Sequence, residues 1–163
     1  MTGTRGEGPP PGGVRAPVIV AFCGMGYLAL VICGLGVVSL AQDDDVISTP
    51  DIGMLSGYIA VGASVAAFAL LLWGVVSSER PSFWSTAGIA LAAGAVHALA
   101  LGVAAFAATG DLGSAGAAMS EVLLSWVSPT IVVTAAIAAW AGIALRRTRS
   151  GRPRWPWEDP RDQ

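Results

Sequence analysis

The sequence predicts an all-α integral membrane protein with four transmembrane helices. They would form an up-down-up-down bundle with both termini cytoplasmic. Three observations lead there. Apolar residues make up 54% of the 163-residue chain and charged ones 12%, about half the charged share of a soluble domain. Four stretches are long and apolar enough to cross a hydrocarbon core of about 30 Å, which takes roughly 20 helical residues. With four spans, every basic residue falls on the same side of the membrane.

Residues 1–15 begin MTGTRGEGPPPGG, rich in Gly and Pro, and read as a disordered cytoplasmic segment. The first span covers about 16–41. Ser39 and Ala41 resemble a signal-peptidase site, but the apolar run is about 24 residues, longer than the 7–15 of a signal core. It reads as an uncleaved anchor. Both cysteines, Cys23 and Cys33, lie in it, about 15 Å apart along a helix, beyond the reach of a disulfide. They read as small packing residues.

The second span covers about 55–76, the third about 83–109 and the fourth about 120–145; together the spans make a transmembrane domain over 16–145. Residues 146–163 form a basic tail containing Trp and Pro. Its arginines would attract anionic lipid at about 1 kcal/mol per residue near the surface. Trp155 and Trp157, either side of Pro156, would lie in the headgroup layer.

Orientation follows from charge. Arg5, Arg15, Arg80 and six arginines after residue 145 share one side. Asp43, Asp44, Asp45, Asp51 and Asp111 occupy the other, with Glu121 at its edge. Positive residues mark the cytoplasmic side, so the acidic loops face outward. The expected location is a cell membrane, of the bacterial inner-membrane type. The Ala- and Gly-rich, lysine-free composition resembles that of small membrane proteins of high-GC actinobacteria.

Helix association in lipid relies on close packing and polar contacts, because lipid tails are as apolar as leucine. In the third span, Thr86, Ala90, Gly94, Ala98 and Gly102 recur every fourth residue. Ala90, Gly94, Ala98 and Gly102 are therefore expected to form a helix-packing seam. Shorter ladders run through Ser56, Ala60 and Ser64 in the second span, and through Thr130, Thr134, Ala138 and Gly142 in the fourth.

The residues most in need of a reason are polar and intramembrane. His97, the sole histidine, falls mid-span on the flank of the seam. An antiparallel hairpin would set it opposite Ile131, within the depth of Ser128, Thr130 and Thr134. In a continuous fourth helix, Pro129 would free the carbonyl of Ser125, and Glu121, Ser125 and Ser128 would share a face. His97 then reads first as helix–helix glue, bonding Ser128, Thr130 or the freed carbonyl. The sharper alternative is a polar track through Glu121, Ser125, Ser128 and His97.

No catalytic motif, P-loop, HExxH or CxxC occurs, and the aspartate run lacks the spacing of a calcium loop. A net charge of −2 argues against nucleic acid. The reading is therefore no catalytic residues, no cofactor, no metal and no enzyme activity. The expected partners are the lipid bilayer and either further copies of the chain or a larger membrane complex. The expected function is a non-catalytic scaffold or accessory subunit. The alternative is an oligomeric transporter or channel unit built on the polar track.

Overall fold

A computed structural model describes residues 15–42, 54–78 and 82–147. The amino-terminal segment, the first acidic loop and most of the Trp-containing tail lie outside these residues. The described residues form α1 (Ala16–Gln42), α2 (Met54–Val76), α3 (Ser85–Thr109), α4 (Leu112–Leu124) and α5 (Val127–Arg147). α1, α2, α3 and α5 are each long and apolar enough to cross a membrane, and α4 is not.

The stretch expected to be one fourth span is divided. α4 ends at Leu124, Ser125 is extended (φ −85°, ψ 170°), and α5 starts at Val127. Pro129 explains the division. Inside a continuous helix its ring would crowd the carbonyl of Ser125 and remove a backbone bond. In the first turn of α5 its missing N–H costs nothing, because the first N–H groups of a helix have no intrahelical acceptor. The crossing helix therefore starts at Val127, seven residues later than the expected Ser120.

α1 packs on α2 and α5, and α3 packs on α2, α5 and α4. The four long helices close into an antiparallel ring, with α4 laid against the last turns of α3. Burial follows ridges of every fourth residue, the rows that interdigitate when helices pack. On α1 the ridge is Ile19, Cys23, Tyr27 and Val31; on α2 it is Ser56, Ala60, Ser64, Phe68, Leu72 and Val76.

α3 carries two such ridges. Ile89, Ala93, His97, Leu101 and Ala105 are buried along one, which meets α2. Ala90, Gly94, Ala98 and Gly102 form the other. A Cβ on Gly94 would stand 2.8 Å from Cγ2 of Val132 in α5, and one on Gly102 would stand 2.5 Å from Sδ of Met119 in α4. The small-residue row is thus the face that admits α5 and then α4.

Close approaches fix the register. Gly34 of α1 faces Thr130 of α5, and Cys23 faces Gly142. Ser64 of α2 faces Ala93 of α3. At one end, the Arg147 guanidinium lies over the Phe83 ring, 4.6 Å from its centroid, and Arg15 and Arg146 are exposed. This is the arginine end of the bundle. The outer surface between the ends is apolar, with Phe22, Met25, Leu70, Leu91 and Val103 all exposed. An apolar sheath around a bundle of spanning length is what lipid covers.

Candidate functional site

Tyr27, Ser64 and His97, all buried, gather where α1, α2 and α3 meet. The Ser64 hydroxyl donates to the carbonyl of Ala93 at 2.9 Å. The Tyr27 hydroxyl lies 2.7 Å from the same Ser64 oxygen. Ser64 has one proton, and it goes to Ala93, so Tyr27 is the donor in the second bond. Tyr27 is itself fixed by stacking on Phe68, with ring centroids 4.6 Å apart. All three side chains are buried.

One turn along α3 from Ala93, the His97 ring lies beside the backbone carbonyl of Ala60 on α2. Its Nδ1 is buried without a hydrogen-bond partner. His97 is 5% exposed and does not face lipid.

A second polar locus is the break between α4 and α5. The last four carbonyls of a helix have no intrahelical partner. Here Ser125 N–H donates to Glu121 at 2.9 Å. The hydroxyls of Ser125 and Ser128 both donate to Val122, at 3.1 and 2.8 Å. Ser125 Oγ also accepts from Val127 N–H at 3.3 Å, so its hydroxyl caps the end of one helix and the start of the next. Thr130 donates to Trp126 at 2.7 Å, and its methyl group faces Gly34.

A third locus is the α3–α4 turn. Gly110 is left-handed (φ 68°) and closes α3 by donating to Phe106, a conformation that glycine adopts without a Cβ penalty. Asp111 caps α4 by accepting from Ser114 N–H at 2.8 Å. The N–H groups of Ser114 and Gly113 hold its carboxyl below the usual aspartate range. Thr109 and Ser114 hydroxyls meet at 2.6 Å across the turn.

The residues singled out in the sequence are therefore distributed over several faces. His97 lies against Ala60 of α2, not the Pro129 region of α5. Glu121 and Ser125 belong to α4 and its cap, while Ser128, Pro129 and Thr130 open α5, so the expected common face does not form. Ser125, Ser128 and Thr130 satisfy local carbonyls. Sequence reasoning did not single out Tyr27 or the acceptor Ala93, and it named Ala60 only as a rung of a small-residue ladder. Tyr27 carried a signal, as a phenol at the middle of an apolar span. The two alanines carried none, because their role belongs to the backbone.

These observations define the class: an all-α membrane protein of four spans, braced inside by side-chain bonds to helix carbonyls. The family-level comparison narrows this. Residues 14–163 match the family of unknown function DUF6121, and the chain belongs to that family. Comparison with curated proteins and with solved structures finds no match.

Proposed function

We propose that this protein is a non-catalytic structural subunit. It assembles with further copies of itself or with a larger membrane complex, in a bacterial cytoplasmic membrane, with its arginine end inside. The observation that carries this reading is the destination of the buried hydrogen bonds. The proton of Ser64 goes to the backbone carbonyl of Ala93 on a neighbouring helix, that of Tyr27 goes to Ser64, and the His97 ring is packed beside the carbonyl of Ala60. Such contacts brace helices against one another.

The lipid-facing surface supports the same reading. Gly36, Gly62, Gly74 and Gly88 are exposed, and an added Cβ at each would meet open space. A mid-helix glycine costs roughly 0.5–1 kcal/mol relative to alanine, and no neighbour within this bundle offsets that cost. Gly62 and Ala66 are both exposed and lie one turn apart on α2, the small-xxx-small spacing that lets another helix approach closely. The transporter reading gains no such support, since Ser125 and Ser128 both turn to Val122.

Purification of the full chain in mild detergent tests the proposal. A defined oligomer or a stoichiometric partner is expected, lost on Gly62→Leu together with Ala66→Leu while the monomer stays folded. A monodisperse monomer that brings no partner overturns it.

A further inference from the structure

The register of the bundle locates the membrane boundary, and with it a role for α4. Ser64 opposite Ala93 sets Trp73 of α2 level with Trp84, at the start of α3. Gly94 opposite Val132 sets Trp140 of α5 within two residues of that level. All three tryptophans are exposed, and all lie toward the arginine end. By the same registers Tyr58 of α2 and Trp126 fall level with α3 residues 99 and 100, and both are exposed. Exposed Trp and Tyr rings gather at the two membrane interfaces. The bundle thus carries one belt near the arginines and a second just before α5.

Helix length agrees. The belts stand about 16 residues apart along α3, about 24 Å, and the 21 residues of α5, about 31 Å, cover that distance without help from α4. α3 continues past the second belt to Thr109, roughly 15 Å farther, and α4 runs back along that extension, with Met119 at Gly102. Glu121 stands near the belt level, where a carboxylate is tolerated and the bilayer centre is not. Around the break, the carbonyls of Leu123 and Leu124 receive no backbone donor among the described residues, and both side chains are exposed. Open carbonyls beside lipid are excluded from the hydrocarbon core but met by water at its edge.

We infer that α4 is an interfacial helix whose partner is the lipid surface at the far end of the bundle. Leu123, Leu124 and Trp126 seat in the acyl boundary of that leaflet. Asp111 and Leu112 stand in water, and α5 alone makes the fourth crossing. This inference rests on the membrane-spanning fold and holds whatever the chain assembles with.

Site-directed spin labelling of the full chain tests it, in phosphatidylcholine–phosphatidylglycerol vesicles with Cys23 and Cys33 replaced by alanine. Single labels go at Leu91→Cys, Leu112→Cys, Ala117→Cys and Leu124→Cys, all exposed positions. Power saturation compares access of oxygen with access of a water-soluble nickel chelate. The label at 91 reports the hydrocarbon. The label at 124 should favour oxygen, that at 112 the chelate, and that at 117 should fall between them. An oxygen-dominated label at 112, matching 91, overturns the inference by placing the break within the bilayer. A label at 124 closed to both reagents overturns it by showing protein cover, and one dominated by the chelate does so by placing α4 wholly in water.

Discussion

Ser64 and His97 clasp α2 and α3 at reciprocal positions: each side chain reaches the backbone carbonyl that already accepts the other's own amide. Ser64 Oγ donates to Ala93 O at 2.9 Å, and the His97 ring lies beside Ala60 O. In an α-helix the carbonyl of Ala93 serves the N–H of His97, and that of Ala60 serves the N–H of Ser64. The two contacts lie one turn apart and run in opposite directions across an antiparallel seam.

Removing one half of the clasp should weaken the bundle modestly. His97→Ala is expected to cost about 1–3 kcal/mol, combining an intramembrane polar contact with a cavity. His97→Leu restores volume but no donor, and should recover only the cavity part. Reversible unfolding in mixed micelles reads both values. A His97→Leu variant as stable as the parent would leave the clasp without energetic weight.

The Tyr27–Ser64–Ala93 chain predicts an asymmetry. Tyr27→Phe removes a donor and leaves Ser64 still bonded to Ala93, a loss of about 1 kcal/mol. Ser64→Ala removes the bond to Ala93 and strands a buried phenol, so it should cost more, about 2–3 kcal/mol. Unfolding of the two single variants decides the order, and a reversed order would mean that the proton directions are different.

The glycines divide into two groups with opposite expectations. A Cβ at Gly34 would stand 2.6 Å from Thr130 Cγ2, and one at Gly94 would stand 2.8 Å from Val132 Cγ2. Both neighbours are β-branched and stiff, so alanine at either position should cost about 1–3 kcal/mol. At Gly102 the obstacle is the flexible end of Met119, which can move, so alanine there should cost less. At Gly62, Gly74 and Gly88 alanine meets open space, and should be neutral or gain up to about 1 kcal/mol. Thermal unfolding of purified monomer separates the groups.

Asp111 makes the start of α4 sensitive to acid. Ser114 and Gly113 N–H groups lower its folded pKa, so its stabilisation is full above the unfolded value, near 3.9, and is lost as pH falls through the folded value. Amide exchange at Ser114 should be slower in the parent than in Asp111→Ala at neutral pH. The difference should vanish in acid. Asp111→Asn keeps a neutral acceptor and should show little pH dependence. Equal exchange in parent and Asp111→Ala at neutral pH would leave the cap without effect.

The four crossings were legible because length and apolarity suffice to define them. The break at Ser125 was open to the same reading. SWVSPT carries a proline three residues into α5 and a serine just ahead of it, a helix-start pattern, yet the apolar residues on both sides suggested continuity. The partner of His97 was harder to see. Depth alone set it opposite Ile131, but α3 has a neighbour on each side, and the one that meets the ring is marked by alanine. A carbonyl acceptor leaves no trace in residue type. Tyr27 and Ser64 were visible as polar residues, while their meeting depends on the α1–α2 register, which lies across a connection of little sequence pattern.

The clasp also implies two kinds of mutational tolerance, one turn apart on each helix. At 64 the chemistry of the side chain is constrained, since a proton must be offered at a set height, and at 97 a polar ring must fit beside a carbonyl. At 60 and 93 any residue supplies the same carbonyl, and only size matters: Ala60 and Ala93 have no measurable exposure. A saturation scan should therefore find substitution by serine or glycine acceptable at 60 and 93, bulk rejected there, and at 64 and 97 a preference for donors over residues of matching volume.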